Sequence, residues 1–276
     1  DWENDRQPEI ERRQMVMYKL HVRGFTNSLG EKEVHRGTFA GVADRIPYLK
    51  SLGITSVELM PVYEFEELLA EKESRVPEYP RWKEKKGDKI RCTAQKPTYK
   101  INAWGYGKGF YFAPKASYAA GDDPETELKE LVLKLHRKGM ECILEIDFAD
   151  CTQELFMAEV LHYWVREYHI DGFHLQGDHI PFDFLTRDPY LGRTKLFYRE
   201  IHSEVIPAEE KQYKRIYKDS DEFLYPARKL LAGQGGNIWE LADQMRKQDR
   251  KTGYINYLAD NNGFTLSDLF SYERRH

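Results

Sequence analysis

The sequence predicts an α/β barrel, on three observations. Apolar strand-like segments alternate with amphipathic helical segments along most of the chain. This alternation implies parallel strands joined by right-handed helical crossovers. The chain has 276 residues, a length that single-domain barrels commonly reach. We therefore expect a TIM-type (β/α)8 barrel whose functional site lies on the loops that follow the carboxyl ends of the strands.

The first two thirds of the chain supply four strands and three helices. Apolar composition bounded by turn residues predicts strands over 14–22, 54–62, 140–148 and 170–176. Apolar residues at helical spacing predict helices over 39–53, 125–139 and 152–168. Between the second and third of these strands lies a charge-rich insertion, at about 63–108, which is either a solvated segment or a lid or binding loop. We interpret residues 1–276 as one barrel domain that carries this insertion.

The last third is less regular. Strands are expected over 194–200 and 253–259, with a weaker candidate over 213–217 and a helix over 237–251. This gives about seven strands, so the eighth strand of a complete barrel is missing and two strand edges stay unpaired, which favours self-association or cover by other domains. We expect the chain to be a piece of a longer protein. An open doubly wound sheet is the alternative on pattern alone, although no glycine-rich phosphate motif follows the first strand.

Composition narrows the function classes. The net charge of −4 gives no electrostatic reason to expect a nucleic acid or an anionic membrane as partner. No apolar run approaches the roughly 20 residues that span a bilayer. Cys92, Cys142 and Cys151 form no close pair, which argues against a disulfide framework or a zinc knuckle and favours a reduced, cytoplasmic protein. The abundance of Tyr and Trp suits packing and also stacking on sugar rings.

Segments in the same order along the chain resemble glycoside hydrolase family 13, the α-amylase family. They are YKLHVRGFT (18–26), GTFAGVADRIPYLKSLGITSVELMPVYEF (37–65), NAWGYGKGFYFAPKASYA (102–119), GMECILEIDFAD (139–150), HIDGFHLQ (169–176), DPYLGRTKLFYRE (188–200) and INYLADNNGFTLSDLFSYERRH (255–276). The similarity is to the debranching members: isoamylase, type I pullulanase and the glycogen debranching enzymes. The resemblance implies a retaining glycosidase without a metal or cofactor, whose nucleophilic carboxylate and acid–base carboxylate lie about 5 Å apart.

At the family's catalytic positions this chain carries other residue types. The nucleophile position falls on Gln176, the acid–base position on Arg199 and the third carboxylate on Asn262. The family's arginine falls on His174. The remaining first-contact positions fall on Ala149, Asp150 and Asn261. A glutamine cannot form a glycosyl ester, and an arginine cannot supply a proton. We therefore expect an inactive barrel.

Nearby carboxylates offer an alternative set. Asp178, Glu200 and Asp260 lie one or two residues from the expected positions. A shift of two residues moves a group about 6–7 Å along a strand, and a shift of one places it on the opposite face. Catalytic groups tolerate displacements of only about 0.5 Å. Relocated catalysis is therefore the less favoured interpretation.

Sugar contacts are expected at the same strand ends. The resemblance assigns ligand binding to the following positions: Trp104, Tyr106, His174, Gln176, Asn261 and Asn262. Plain packing of Trp104 and Tyr106 is the alternative. His21 is expected to be a structural hydrogen-bonding residue beneath the site. We expect no metal at His174, Asp178 and His179, because neighbours on one strand end seldom converge on one ion.

Three functions remain open. The favoured one is a catalytically inactive barrel that binds or senses an α-glucan or maltooligosaccharide. The second is an active retaining hydrolase of 1,6- or 1,4-α-glucosidic bonds with relocated carboxylates. The third is a structural or assembly domain without sugar affinity.

Overall fold

The computed structural model describes residues 2, 4–27, 35–70, 99–149, 151–199, 201, 202, 204, 206, 215–233 and 238–260. Its strands, in chain order, are β1 (Met17–Leu20), β2 (Ser56–Leu59), β3 (Tyr63–Phe65), β4 (Leu68–Ala70), β5 (Tyr99–Ile101), β6 (Gly109–Pro114), β7 (Glu141–Asp147), β8 (Gly172–Gln176), β9 (Lys195–Tyr198), β10 (Ile216–Asp219) and β11 (Thr252–Ile255). Its α-helices are α1 (Val22–Asn27), α2 (Phe39–Asp44), α3 (Ile46–Ser51), α4 (Pro124–Arg137), α5 (Glu154–Tyr168), α6 (Phe182–Arg187), α7 (Asp221–Leu231) and α8 (Ile238–Arg246).

Seven of the described strands form one curled parallel sheet in the order β1-β2-β7-β8-β9-β10-β11. Each neighbouring pair runs parallel, and helices lie between most consecutive strands. Among the described strands, β1 and β11 each pair on one side only, so the sheet is a barrel with an open seam between them. The predicted incomplete TIM-type barrel is confirmed.

The helices are anchored by local sequence. Asp123 caps α4, because its Oδ1 accepts a hydrogen bond of 3.0 Å from the backbone N–H of Thr126, and Pro124 occupies the first helical position. The side chains of α4 and α5 that face the sheet are fully buried, with Leu131 and Trp164 among them. His169 ends α5 in a left-handed conformation, with φ of 52°.

Several elements differ from the sequence prediction. The helix expected over 39–53 is two short helices, α2 and α3, because Pro47 has no backbone N–H to continue the first one. Strand β10 lies about two residues later than the expected 213–217. Helix α7 was not predicted, since Pro226 within it is unfavourable to a helix. The described residues include no helix long and apolar enough to cross a membrane.

Two antiparallel strand pairs lie in the insertion and the segment that directly follows it. β3 pairs with β6, and β4 pairs with β5. Residues 71–98 of the insertion lie outside the described part of the chain. The described part brings the loop 102–108, between β5 and β6, to the carboxyl end of the barrel, because Gly107 donates a hydrogen bond of 2.7 Å to Asp147 at the end of β7.

Two of the layers that fill the inside of the barrel differ in their chemistry. The lower layer is apolar: Ile143, Phe197 and Tyr217 form a separate buried cluster against Met17 and Ile255. Two residues further along β1, β7 and β10, the side chains are the charged Lys19, Glu145 and Asp219. Because successive side chains alternate between the two faces of a strand, these charges point into the same interior.

Gly172 is required by this packing. A Cβ there would lie 2.8 Å from Cδ1 of Ile143 and 2.8 Å from Cβ of Lys195, on the strands either side. No side chain fits between those two residues, so glycine at the start of β8 lets β7 and β9 close around it.

Candidate functional site

The upper layer of the barrel interior is a cluster of five charged side chains, which we name the charged layer. Its members come from five different strands: Lys19, Glu58, Glu145, His174 and Asp219. The strand register sets four of these residues side by side in two pairs, since Lys19 pairs with Glu58 and Glu145 pairs with His174.

Lys19 lies close to two carboxylates of the charged layer and to one carboxylate outside it. Its Nζ lies 2.8 Å from Oε1 of Glu145, 3.6 Å from Glu58 and 3.5 Å from Asp260. Burial alone would lower the pKa of Lys19, but Glu58 and Glu145 outweigh it and raise the pKa above its usual value. Burial raises the pKa of Glu145, and Lys19 opposes that effect only in part.

His174 is held between two carboxylates. Its Nδ1 lies 2.8 Å from Oε1 of Glu58, and its Nε2 lies 3.0 Å from Oδ2 of Asp219. Burial would lower the pKa of His174, but the two carboxylates raise it well above the usual value. Although burial acts the other way, the charge of His174 lowers the pKa of Glu58 and of Asp219. Since each ring nitrogen faces a carboxylate, the ring can donate to both of them only as an imidazolium, the form that the raised pKa favours.

This arrangement bears on the predicted absence of a metal. An imidazolium has no lone pair to offer an ion, so His174 is unsuited to ligation in this state. Asp178 and His179 are exposed in the turn that follows β8, apart from the buried ring of His174. The described residues contain no group of three potential ligands that could hold a metal.

Gln176 lies at the end of β8, immediately above the charged layer. Its Nε2 donates a hydrogen bond of 3.3 Å to Oε1 of Glu145. The other oxygen of Glu145 accepts a hydrogen bond of 3.0 Å from the hydroxyl of Tyr106. Glu145 therefore connects Gln176 to Tyr106, and both residues are among the positions predicted to contact sugar. Tyr106 lies in the loop 102–108, which we name the aromatic loop.

The aromatic loop is fixed by its own hydrogen bonds. Asn102 donates from Nδ2 to the carbonyl of Tyr106 at 2.9 Å and accepts at Oδ1 from the backbone of Gly105 at 3.1 Å. Trp104 stands on this loop with 47% of its surface exposed, and its ring meets the edge of His21 at 5.6 Å. His21 in turn lies 2.9 Å from the hydroxyl of Tyr118, in agreement with a structural role beneath the loop.

Four of the remaining predicted positions lie among the described residues. Arg199 is exposed at the end of β9, and Asp178 is exposed in the turn after β8. Asp260 is close to Lys19, as given above. Ala149 has a φ of 47°, in a turn where Asp147 Oδ1 accepts its backbone N–H at 2.8 Å. Asp150, Glu200, Asn261 and Asn262 lie outside the described residues.

Sequence reasoning missed four members of the charged layer: Lys19, Glu58, Glu145 and Asp219. Lys19 and Glu58 are the single charged residues of the segments MYKL and SVEL, and Glu145 is one of three acidic residues in the largely apolar segment ECILEID. Because parallel barrel strands are usually apolar on both faces, such charges mark positions that need partners. That criterion would have selected them from the sequence.

Comparison with known proteins agrees with the resemblance predicted above. No family model matches the chain. Isoamylase 3 of rice is 26% identical over 354 residues, an alignment that covers all of this chain and 43% of that protein. The GlgX homolog of Haemophilus influenzae is 26% identical over all of this chain and 49% of its own length. Isoamylase 1 of Arabidopsis thaliana is 34% identical, over 53% of this chain and 17% of its own.

Solved structures show the same fold. Type I pullulanase of Bacillus subtilis, in complex with maltose, superposes with a TM-score of 0.67 at 18% identity, over 98% of this chain and 47% of its own. A pullulanase of Anoxybacillus in complex with maltotetraose gives a TM-score of 0.65 at 18% identity, over 95% of this chain and 47% of its own. The chain thus spans about half the length of the full-length relatives and structures that it matches. The chain is thus similar in sequence to isoamylases and glycogen debranching enzymes, and similar in fold to type I pullulanase, as expected for the debranching branch of glycoside hydrolase family 13.

Proposed function

We propose that this chain is a debranching-type barrel that binds an α-glucan at the carboxyl ends of its strands without cleaving it. The observation that carries the proposal is the state of the inward-facing carboxylates that the structure describes there. Glu58, Glu145 and Asp219 are each bonded to Lys19 or His174. Asp147 accepts hydrogen bonds from the backbone N–H groups of Gly107 and Ala149.

Retaining hydrolysis needs the opposite arrangement. A nucleophilic carboxylate must face the anomeric carbon, and the transition state carries positive charge that a nearby anion stabilises. Here a neutral amide, Gln176, stands at the strand end, and two cations, the partly buried Lys19 and the buried His174, lie in the layer below it. The two cations pair with the carboxylates of the layer, which weakens the stabilisation that those carboxylates could give to an oxocarbenium-like transition state. Loss of both nucleophile and acid removes many orders of magnitude of rate.

The groups suited to binding remain. Trp104 presents an exposed ring that can stack on the apolar face of a glucose unit. Gln176 and Tyr106 are held in place by Glu145, so a sugar would meet polar groups that are already oriented. The pullulanases of the same fold were solved with maltose and maltotetraose, which supports the choice of an α-glucan as the ligand.

The free thiols of Cys142 and Cys151 fit a protein of a reducing compartment. On this ground we keep the cytoplasmic location predicted from the sequence as part of the proposal.

The test has two parts. Calorimetry with maltotetraose should give measurable heat, and a crystal soaked in the same sugar should show a glucose ring beside Gln176 and Trp104. Incubation with pullulan, glycogen or maltodextrin should release no reducing ends above a protein-free control. Heat without hydrolysis supports the proposal. Absence of heat with every α-glucan would favour the structural or assembly role instead.

The alternative of relocated catalysis makes a separate prediction. If Asp178, Glu200 or Asp260 had taken over the chemistry, reducing ends would appear and would be lost in Asp178→Asn, Glu200→Gln or Asp260→Asn. The exposure of Asp178 and the contact of Asp260 with Lys19 weigh against this alternative. An activity that these substitutions abolish would overturn our proposal.

A further inference from the structure

The segment that precedes the first barrel strand lies across the amino-terminal end of the barrel. We name residues 4–14 the N-terminal strap. Its first anchor is Asp5, whose carboxylate is 2% exposed and is shared by two histidines. Nδ1 of His136 on α4 lies 2.8 Å from one oxygen of Asp5, and Nδ1 of His169 lies 2.7 Å from the other. Trp2, just upstream, stacks on the His169 ring at 4.1 Å.

His136 connects the strap to the barrel. Its second nitrogen, Nε2, lies 2.9 Å from Oδ2 of Asp171, which directly precedes β8. The side chains of His136, Asp5 and Asp171 are at most 5% exposed, so water supplies little alternative solvation. The ring stands between two carboxylates, and both contacts are hydrogen bonds only while both ring nitrogens carry protons.

Other titratable groups among the described residues face Asp5 or Asp171. His169 faces Asp5 from the end of α5. Glu141 and the thiol of Cys142, on β7, face Asp171, whose charge raises the pKa of both groups in the same direction as burial. Burial would lower the pKa of His136 itself, but Asp171 and Asp5 raise it above its usual value.

Further along, the strap bonds to three more strands. The backbone N–H of Ile10 donates to Oε1 of Glu141 at 2.7 Å, and Nζ of Lys195 donates to the Ile10 carbonyl at 2.6 Å. The guanidinium of Arg12 donates to the carbonyl of Ile216 at 3.3 Å and to that of Lys251 at 3.1 Å. Arg12 thereby ties the chain that leads into β1 to the entry points of β10 and β11, across the open seam.

The strap also lines a large cavity. Residues 7 and 9–13 line one side of a cavity of about 1650 Å³ at this end of the barrel, and residues 247–250 line another. Release of the strap would open this cavity and the seam together.

We propose that the N-terminal strap is a pH-sensitive closure of the barrel floor, held while His136 is protonated between Asp5 and Asp171 and released when that proton leaves. The sign follows from linkage. A histidine with a raised pKa in the folded state contributes stability that is complete below its unfolded pKa, about 6.5, and is lost as the pH rises through the folded value. The strap should therefore be closed at slightly acidic pH and loosen in the alkaline range.

Hydrogen–deuterium exchange of the full chain, measured by mass spectrometry at pH 6 and pH 9, tests this closure. The rates at the two pH values are corrected for the intrinsic exchange rate. Peptides from the strap should exchange about tenfold faster at pH 9, as expected for the loss of a charge-assisted hydrogen bond. Peptides from the core of α5 serve as the internal reference and should show little change.

Two variants separate this device from a general loss of stability. Asp5→Asn removes the strap carboxylate that faces His136 while leaving the barrel residues intact, so its strap should exchange rapidly at both pH values. His169→Gln removes the more exposed partner of Asp5 and should preserve the pH dependence. Equal strap protection of the wild type at both pH values would refute the proposal, as would an unchanged pH dependence in Asp5→Asn. Both outcomes are independent of sugar binding.

Discussion

Nδ1 of His174 lies 2.8 Å from Oε1 of Glu58, and this contact joins the second strand of the barrel to the fourth across its interior. Both side chains are buried, so neither can exchange its partner for water. The first prediction follows from this pair. Glu58→Gln leaves an imidazolium with one charged partner fewer and should lower the free energy of unfolding by about 3–5 kcal/mol in urea titrations.

A double variant identifies the cause. Glu58→Gln combined with His174→Gln should cost less than the sum of the two single changes, because neither charge is then left buried without the other. Glu159→Gln is the matched control: Glu159 faces His162 at 3.8 Å but is 70% exposed, so its loss should change stability by less than about 1 kcal/mol. Strict additivity of the two buried changes would contradict the coupling.

The second prediction concerns the pH dependence of stability. Because the pKa of His174 is raised, its contribution is complete below about pH 6.5 and declines as the pH rises through the folded value. Thermal unfolding should therefore show a falling midpoint on the alkaline side. His174→Gln should reduce that slope, whereas a slope equal to that of the wild type would assign the alkaline loss to other groups, His136 among them.

The third prediction addresses the aromatic loop. Trp104→Ala should weaken maltotetraose binding about tenfold in calorimetry, since one stacked ring is removed. Phe110→Ala is the control, because Phe110 is 73% exposed on β6 without having been assigned a sugar contact. If both changes weakened binding equally, exposed aromatic surface in general, rather than this loop, would be responsible.

The fourth prediction concerns the hydroxyl of Tyr106. Tyr106→Phe keeps the ring but removes the hydrogen bond of 3.0 Å to Glu145, so the loop should become less ordered and maltotetraose binding should weaken several-fold. The same change made in a Glu145→Gln background should have a smaller effect. An undiminished effect in that background would show that Tyr106 acts independently of Glu145.

The sequence predicted the barrel and most of its strands, because β2, β7 and β8 combine apolar outer faces with clear turn boundaries. It did not predict α7, since Pro226 is unfavourable there and tertiary packing of Leu224 and Ala227 outweighs it. The site was predicted in part. Strand-end positions such as Gln176 follow from strand order, but its partner Glu145 lies on the neighbouring strand β7, and the register between β7 and β8 brings the two side chains together.

The hydrogen bond from Gln176 to Glu145 limits what a single substitution at position 176 can achieve. A carboxylate introduced by Gln176→Asp would face Glu145, which already carries a raised pKa because of its burial. Two carboxylates in such proximity do not both ionise easily, so the new group would tend to hold a proton and remain a poor nucleophile. Under the proposed function, we therefore expect Gln176→Asp alone to give no hydrolysis. A hydrolytic site at this position would also need different interior charges, which is a concerted change of several residues.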